Sequence, residues 1–272
     1  MRLGCICGSF TRAFDAGAMD QLRFVAHCGD VLRVGGVEFQ DIHFPETRPA
    51  YLDRLRAAAA ARGLGIIGIG IHNDFGRRDP CLRRSEVVKV QQWVEVAERL
   101  GAPFIRVFAG WPEGDAGERW GDMIAALRAA AAFAHEAGVR LLLENEAGFT
   151  PSAAEHLRIL AEVGSPALGL LLDTGNYRAG WPSVRAAAPH AAHVHAKFWR
   201  VGPDGAEPSM DYPGLLDGLR QAGYAGWITF EYEAEEAEAT GVPRALRYLR
   251  RLVEAPGAAG GGPGGATAAR GE

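Results

Sequence analysis

Four apolar segments in the second half of the chain end, one after another, at a polar side chain. A run of three leucines ends at Glu144, and a second leucine run ends at Asp173. A segment in which apolar and polar residues alternate carries His195, and the run WITF ends at Glu231. Short apolar runs bounded by turn residues predict buried strands. Four consecutive predicted strands therefore end in Glu, Asp, His and Glu.

The same patterns extend over the rest of the chain and predict eight strands that alternate with helices. Repeated strand–helix units are typical of parallel α/β proteins. The strands are predicted over residues 2–7, 37–40, 66–71, 104–108, 139–144, 168–173, 192–196 and 227–231. The helices are predicted over residues 19–32, 47–62, 85–100, 118–137, 151–163, 181–188, 212–222 and 242–254.

This alternation predicts an α/β fold, a (β/α)₈ TIM barrel formed by a single domain over residues 1–255. An open doubly wound sheet is the alternative, but the turn GSFTRAFDAGAM after the first strand lacks the G-x-G-x-x-G spacing of a phosphate-binding turn. Residues 256–272 are rich in Gly, Ala and Pro, lack periodicity and predict a disordered tail. Functional groups of a TIM barrel lie at the carboxyl ends of its strands, where the four polar residues fall.

Composition narrows the class of protein. The 272 residues are 48% hydrophobic and carry a formal net charge of −4, which excludes the basic surface of a typical nucleic-acid-binding protein. Four cysteines do not form a disulfide framework in a chain of this length and favour a reduced, cytoplasmic protein. The N-terminus lacks a signal-peptide pattern, and no apolar stretch approaches the roughly 20 residues of a membrane span. We therefore expect a small-molecule substrate and neither nucleic-acid nor membrane partners.

The four polar strand ends have the chemistry of a metal site. Residues two apart on a strand share a face, which places Glu144, Asp173, His195 and Glu231 on the barrel interior near its rim. Three carboxylates together repel one another, and a divalent cation removes this conflict. An oxygen-rich set with one imidazole favours Mn²⁺ or Mg²⁺, with Co²⁺ or Zn²⁺ as alternatives. Taken singly, Asp173 can be a helix cap, His195 an interior histidine and Glu231 the start of a solvated acidic run. The order of the four residues on successive strands favours a metal site.

The chain resembles the sugar phosphate isomerase/epimerase superfamily, the xylose isomerase-like TIM barrels, over nearly all residues up to about Leu252. The motifs LLLENEAG, LLLDTGN, HVHAKF and GYAGWITFEYE carry the resemblance. It implies that Glu144, Asp173, His195 and Glu231 bind one divalent metal ion. It also implies that Glu144 and Glu231 transfer the proton next to a substrate carbonyl through a metal-stabilised enediolate. The expected enzyme is an isomerase or epimerase of carbohydrate metabolism, acting on a sugar or small hydroxy-carbonyl compound.

Further side chains at strand ends are candidates for the same site. Lys197 faces the barrel interior and is a candidate catalytic residue that stabilises an oxyanion. Arg106 lies on the inward face of the fourth strand and either binds substrate or pairs with a carboxylate such as Glu144 or Glu38. Glu146 shares the face of Glu144 and competes with it as a ligand, although the resemblance favours Glu144. The predicted substrate-binding residues are Glu38, His72, Arg106, Phe108, Trp111, Asn176 and Trp199.

Departures from the family leave the reaction open. Some relatives carry a histidine where this chain has Asn176, and often an arginine where it has Lys197 and Arg200, which weakens assignment as a ketose 3-epimerase. A dehydratase of an inosose- or dehydroshikimate-like substrate would use the same metal and base and is the main alternative. An endonuclease IV-like nuclease would need more histidines as metal ligands than this chain offers. A non-catalytic barrel is disfavoured because all four predicted metal ligands are present. The short loops after the third and fourth strands offer no obvious phosphate-binding site, which favours an unphosphorylated substrate. The chain is compatible with a homo-oligomer.

Overall fold

Eight parallel strands close into a barrel in the computed structural model, which describes residues 1–255. Each strand pairs with its neighbours in the chain, and β8 returns to pair with β1. The fold is a TIM barrel, so the predicted fold class is confirmed. The strands are β1 (Arg2–Ile6), β2 (Gly36–Gln40), β3 (Gly65–Gly70), β4 (Phe104–Phe108), β5 (Arg140–Glu144), β6 (Leu168–Asp173), β7 (Ala191–Phe198) and β8 (Trp227–Tyr232).

Helices connect the strands and pack around the outside of the barrel. Short 3₁₀ turns cover Cys7–Phe10, Asp41–His43 and Ala188–His190, and a π-helical turn, Cys28–Leu32, extends α2. The α-helices of the described residues are α1 (Thr11–Asp15), α2 (Gln21–His27), α3 (Pro49–Ala60), α4 (Pro80–Leu100), α5 (Ala116–Glu136), α6 (Ala153–Val163), α7 (Trp181–Ala187), α8 (Tyr212–Gln221) and α9 (Glu238–Glu254).

Two helix starts differ from the predicted ones by four residues or more. The pattern places the start of α4 at Ser85, but the helix begins at Pro80 because Asp79 caps it by accepting from the Cys81 amide at 2.7 Å. The pattern also places the start of α9 at about Val242, but the helix begins at Glu238 and contains Pro243. A proline inside a helix removes one backbone donor, and α9 accepts this loss while its apolar face packs in the core.

A small apolar cluster fills the inside of the barrel. It consists of Ile67, Phe104, Leu142 and Leu171 and is separate from the larger core between the strands and the helices. Leu142 and Leu171 lie two residues before the predicted ligands of β5 and β6 and share their face. The apolar cluster therefore forms a water-excluding floor beneath the polar strand ends.

Strand register brings those polar ends to neighbouring positions. Asp173 pairs with His195 across β6 and β7, and Lys197 pairs with Glu231 across β7 and β8. Glu144 ends β5 beside β6. The side chains of these five residues consequently meet at the carboxyl end of the barrel.

Two further findings concern the limits of the domain and its outer surface. The tail predicted as disordered, residues 256–272, lies outside the described residues. None of the helices within residues 1–255 combines the length and apolar character needed to cross a bilayer. An outer groove of about 600 Å³ between α3 and α4, bordered by Leu52 and Trp93, contains none of the predicted site residues.

Candidate active site

Four potential metal ligands converge at the carboxyl ends of β5 to β8. One donor atom from each of Glu144, Asp173, His195 and Glu231 lies within 4.8 Å of the other three. All four residues are buried. His195 Nδ1 lies 3.1 Å from Glu144 Oε1 and 3.2 Å from Glu231 Oε2. The fold therefore brings together the residues that the sequence singles out as ligands.

Buried oxygen atoms without hydrogen bonds fit a cation at this point. Asp173 Oδ2 and Glu231 Oε2 make no hydrogen bond within residues 1–255. Burial raises the pKa of Asp173 well above its usual value, and the charges of Glu231 and Glu144 add to the shift while Lys197 opposes it. Each oxygen has a charged neighbour without a hydrogen bond to it, His195 Nδ1 at 3.2 Å from Glu231 Oε2 and Lys197 Nζ at 3.3 Å from Asp173 Oδ2, so both are free to bind a divalent cation. Three carboxylates and one imidazole form a donor set that suits Mg²⁺ or Mn²⁺, so the residues fit such an ion.

Glu38 lies behind His195, on the opposite edge of the imidazole ring. Its carboxylate accepts hydrogen bonds from His195 Nε2 at 3.0 Å and from His193 Nε2 at 3.1 Å. Burial acts to raise the pKa of Glu38, but the two histidines lower it well below its usual range. The sequence predicts a substrate-binding role for Glu38, whereas this position is fully buried and directs His195 Nδ1 toward the other ligands.

Lys197 is a buried cation surrounded by carboxylates. Its Nζ lies 3.1 Å from Glu231 Oε1 and 3.3 Å from Asp173 Oδ2, and it also contacts Glu233. Burial acts to lower the pKa of Lys197, but the neighbouring carboxylates raise it well above its usual value. The ammonium group therefore stays charged at the site that the sequence predicts for oxyanion stabilisation.

Arg106 pairs with Glu144. Pairing with a carboxylate was one of the two roles predicted for Arg106, and substrate binding was the other. Arg106 Nε lies 3.0 Å from Glu144 Oε2, and Nη1 donates to the Ile71 carbonyl oxygen at 3.1 Å. The guanidinium group also lies 4.2 Å from the centre of the Phe108 ring. Burial acts to raise the pKa of Glu144, but Arg106 and then His195 lower it below its usual value. Arg106 thus keeps Glu144 ionised and fixes its direction.

A cavity of about 230 Å³ opens above these groups, and we call it the metal-site cavity. Its wall combines seven of the predicted site residues with Gln40, Glu146 and Glu233. Asp173 and His195 are fully buried beneath it. The predicted residues that line the metal-site cavity are His72, Arg106, Phe108, Trp111, Glu144, Lys197 and Glu231.

Asn176 and Trp199 lie beside the metal-site cavity rather than in its wall. Asn176 Nδ2 donates to Glu146 Oε2 at 2.6 Å, so it orients a neighbour that does line the cavity. Burial, and next the charge of Glu144, raise the pKa of Glu146 to about 7. The Trp199 ring lies 5.0 Å from Lys197 Nζ at the edge of the site.

Gln40 and Glu233 are site residues that the sequence reasoning missed. Glu233 reads as part of a solvated acidic run, yet it contacts Lys197 and lines the metal-site cavity. The signal that could have found it is its spacing of two residues from Glu231, which gives both the same face of the chain. Gln40 has the same relation to Glu38 on β2.

Residues 22–252 match the family described as Xylose isomerase-like TIM barrel, and the chain belongs to this family. The resemblance inferred from the motifs is therefore confirmed.

The chain is similar to curated proteins named as deglycosidase subunits. It is 31% identical over 313 aligned positions to the C-glycoside deglycosidase alpha subunit of Microbacterium trichothecenolyticum, with 83% of this chain and 81% of that protein covered. It is 32% identical over 100 residues to the 3'-dehydrocarminate deglycosidase alpha subunit of a Microbacterium species, with 35% and 27% covered. A C-glycoside deglycosidase alpha subunit of Arthrobacter globiformis is 40% identical over 73 residues, with 24% and 21% covered. In the last two matches the chain spans only about a quarter of the relative's length.

Solved structures with the same fold include sugar epimerases. D-psicose 3-epimerase from Clostridium cellulolyticum H10 has a TM-score of 0.77 at 17% identity, covering 94% of this chain and 100% of that one. The 3-keto-D-glucoside 4-epimerase from E. coli has a TM-score of 0.73 at 16% identity, covering 92% and 99%. At these identities the similarity is one of fold.

Proposed function

We propose that this chain is a divalent-metal-dependent isomerase or epimerase that moves the proton on the carbon next to a carbonyl of a sugar or small hydroxy-carbonyl compound. The observation that carries the proposal is the cluster of Glu144, Asp173, His195 and Glu231, in which two buried oxygens lack hydrogen bonds within the described chain. The sugar epimerases of the same fold support the substrate class.

The residues of the cluster have separate parts in this chemistry. Glu144, Asp173, His195 and Glu231 would hold the ion, which when bound polarises the substrate carbonyl and offsets the negative charge that develops as the proton leaves. Glu144 and Glu231 form the acid–base pair: one of them, as the carboxylate, removes the proton, and the other, as the carboxylic acid, donates a proton to the same carbon. Proton exchange with solvent then restores the starting protonation states. The Lys197 ammonium group, 3.1 Å from Glu231 Oε1, supplies fixed positive charge beside the developing oxyanion.

The metal-site cavity favours an uncharged sugar over a sugar phosphate. The two buried cations of its wall, Arg106 and Lys197, already pair with carboxylates. Glu146 and Glu233 add further acidic groups to the same wall. Phe108 and Trp111 provide aromatic faces against which a sugar ring can pack.

A lyase is the second candidate, and the similarity to the C-glycoside deglycosidase alpha subunit favours it. Another relative is named for a 3'-dehydro substrate, in which a ketone replaces the 3'-hydroxyl group. In such a sugar the proton on C2 is next to the carbonyl, and the substituent on C1 is β to it. Removal of the C2 proton leads either to reprotonation at C2 or to expulsion of the C1 substituent, which leaves with the bonding electrons and takes a proton from the acid member of the pair. Both outcomes need the same base.

Deuterium exchange tests the step that the two candidates share. The full chain is incubated in D₂O, with and without Mn²⁺, with a panel of ketoses, inososes and 3-keto-glucosides. We expect Mn²⁺-dependent deuterium uptake next to the carbonyl, reduced by about 10²–10⁴-fold in Glu144→Gln and Glu231→Gln. The control Glu136→Gln, at an exposed position of α5, is expected to keep the wild-type rate.

Product mass then separates the candidates, because isomerisation conserves mass and a lyase releases water or an aglycone. Absence of bound metal, together with full activity of Glu144→Gln and Asp173→Asn, would contradict the proposal.

The proposal includes a cytoplasmic location and a single small-molecule substrate. Four free cysteines are in keeping with a reducing compartment, and the formal net charge of −4 is in keeping with the absence of a nucleic-acid partner. Assembly into a homo-oligomer stays a prediction.

A further inference from the structure

His72 lies across the mouth of the barrel from the metal ligands. It follows β3, and in the closed order of eight strands β3 stands opposite β7, which carries His195 and Lys197. His72 and Lys197 both line the metal-site cavity. A molecule whose carbonyl end lies at the metal ligands therefore has its other end beside His72. The proton transfer and the oxyanion stabilisation of the proposed function make no use of this residue.

Asp41 holds one edge of the His72 ring. His72 Nδ1 lies 2.6 Å from Asp41 Oδ1, and the His72 amide donates to Asp41 Oδ2 at 3.0 Å. Asp41 Oδ1 also accepts from the Ile42 amide at 2.9 Å, and the carboxyl group is buried directly after β2. Because one residue contacts both carboxyl oxygens, the imidazole ring has a fixed direction.

The ionised Asp41 carboxylate decides which ring nitrogen of His72 carries the proton. Burial acts to raise the pKa of Asp41, but the hydrogen bonds from His72 and the charge of Lys89 lower it well below its usual value. A carboxylate only accepts hydrogen bonds, so Nδ1 is the donor of this pair. In a neutral imidazole ring, Nε2 then carries the lone pair and is a hydrogen-bond acceptor.

Lys89, on α4, balances the charge of Asp41. Its Nζ lies 3.1 Å from Asp41 Oδ2 and also donates to the His72 carbonyl oxygen. Because an ammonium group already offsets the carboxylate, the Asp41–His72 pair does not need a second proton on the ring. Two other carboxylates of the cavity wall contact a cation likewise, namely Glu231 and Glu233 with Lys197.

The other edge of the His72 ring is open to the metal-site cavity. The side chain is 43% exposed, and within residues 1–255 the ring forms a hydrogen bond only through Nδ1. The Phe108 ring packs against it at a centre-to-centre distance of 6.1 Å and an angle of 70°. Nε2 is therefore an acceptor that is held in place and free to bind a ligand.

An acceptor of this kind selects its partner. Nε2 binds a group that donates, and in a neutral sugar or polyol the donors are hydroxyl groups. An ether oxygen, a carbonyl oxygen and an ionised phosphate group only accept, so they leave Nε2 without a partner. A site built to hydrogen-bond a hydroxyl group discriminates against an analogue that lacks it.

We propose that His72 Nε2, oriented by Asp41, binds a free hydroxyl group on the part of the substrate that is remote from the reacting carbonyl. This inference rests on the proposed function and narrows its substrate class to polyhydroxy carbonyl compounds that keep this hydroxyl group unsubstituted. His72 is thus a specificity-determining residue, and Asp41 is the positioning residue that makes it selective.

The test scans the hydroxyl groups of two ketoses on the Mn²⁺-loaded full chain. The probes are D-fructose and D-psicose, with analogues in which the hydroxyl group at C4, C5 or C6 is replaced in turn by hydrogen or by fluorine. Fluorine is similar in size to a hydroxyl group but cannot donate a hydrogen bond. We expect one position at which both replacements weaken binding by about tenfold, measured by isothermal titration calorimetry.

Variants show which residue recognises that position. His72→Phe keeps an aromatic ring without an acceptor and should reduce the effect of both replacements to below about threefold. Asp41→Asn should lower the effect of fluorine below that of hydrogen, because an amide can donate to Nδ1 and so make Nε2 a donor. The matched control His190→Phe, at an exposed residue that precedes β7 at the opposite end of the barrel, should keep the tenfold effect.

The outcomes separate this inference from the proposed function. A tenfold effect that His72→Phe removes, without deuterium uptake by the wild type, would support hydroxyl recognition and contradict the proposed function. Deuterium uptake with an effect that His72→Phe leaves unchanged, or with fluorine binding as well as hydroxyl at every position, would overturn hydroxyl recognition alone. Failure of the metal-loaded chain to bind either ketose would overturn it as well. Thermal melts of His72→Phe and Asp41→Asn establish that the variants are folded.

Discussion

Glu38 is the group that can set the orientation of His195 without binding the metal itself. It accepts from His195 Nε2 at 3.0 Å, which leaves Nδ1 to face Glu144 and Glu231. We predict that Glu38→Gln lowers Mn²⁺ affinity by about 10–100-fold, because an amide holds the ring and its tautomer less firmly than a carboxylate. Isothermal titration calorimetry on the full chain measures this change directly.

The control for this prediction is Glu98→Gln, at an exposed position of α4, which should bind Mn²⁺ as the wild type does. Thermal melts of metal-free Glu38→Gln show whether the fold is kept. Wild-type Mn²⁺ affinity in folded Glu38→Gln would assign Glu38 a role in packing only.

Single residues show what a strand pattern can and cannot predict. Alternation along β2 predicts that Glu38 points inward, and it does. The pattern carries no information on depth, so it cannot separate a residue that lines a cavity from one that lies behind a ligand. The contact between Glu38 and His195 joins positions 157 residues apart, and only the closed barrel brings them together. Glu233 was missed because it lies in an acidic run that predicts a solvated segment, and its partner Lys197 lies on another strand.

At the scale of elements, His156 ties α6 to β5 and to the loop after β6. His156 Nε2 donates to the Leu143 carbonyl oxygen at 3.0 Å, and Nδ1 accepts from the Tyr177 hydroxyl group at 2.7 Å. Burial lowers the pKa of His156 to about 4, against the opposing effects of the Leu143 hydrogen bond and the Glu144 charge. The imidazole ring is therefore neutral in the folded protein at neutral pH.

This neutral histidine makes stability depend on pH. The unfolded chain, with a histidine pKa of about 6.5, takes up a proton before the folded chain does as the pH falls. Stability is consequently full above that value and is lost toward the folded pKa of about 4. We predict that His156 contributes a loss of about 2 kcal/mol between pH 7 and pH 5, measured as the free energy of unfolding in urea.

The His156→Gln variant should remove this part of the pH dependence, because its amide can replace both hydrogen bonds without titrating. His135→Gln, at an exposed position of α5, is the matched control and should leave the pH dependence unchanged. Parallel pH profiles for wild type and His156→Gln would show that the imidazole ring does not titrate on unfolding.

Strands were more predictable than helix starts for a physical reason. Strands of a parallel barrel are buried on both faces, so they appear as short apolar runs with sharp ends, and β4 and β6 have the predicted bounds. Helix starts depend on a cap that can precede the first apolar residue by several positions. Asp79 caps α4 in this way before its first buried residue, Val90. The prediction took Ser85 as the cap, but Ser85 lies inside the helix and donates to the Cys81 carbonyl oxygen at 3.1 Å, so the predicted helix begins too late.

At the scale of the whole molecule, the ionised form of Asp173 opposes folding unless a cation is present, because burial and then the charges of Glu231 and Glu144 raise its pKa well above its usual value. Asp173, Glu144 and Glu231 lie within 4.8 Å of one another through their donor atoms, over the apolar cluster of the barrel interior. An ion that binds only the folded chain stabilises it by about 2.7 kcal/mol at 100 times its dissociation constant. For a domain of this size that corresponds to a rise in melting temperature of about 5–10 °C.

We predict that Asp173→Asn abolishes the rise in melting temperature caused by Mn²⁺ and melts, without metal, at or above the temperature of the metal-free wild type. The substitution removes a ligand, and it also removes the one carboxyl group of the four-residue cluster whose ionisation is disfavoured by burial and by its acidic neighbours. Asp217→Asn, at an exposed position of α8, should respond to Mn²⁺ as the wild type does.

A full Mn²⁺ response in Asp173→Asn would exclude this residue as a ligand. A metal-free variant that is clearly less stable would instead mean that the Lys197–Asp173 pair, at 3.3 Å, outweighs the repulsion. Replacing an active-site residue commonly raises the stability of a protein at the cost of its function. A melting temperature of metal-free Asp173→Asn at or above that of the wild type would therefore assign Asp173 to cation binding, and a lower one would assign it to the stability of the barrel.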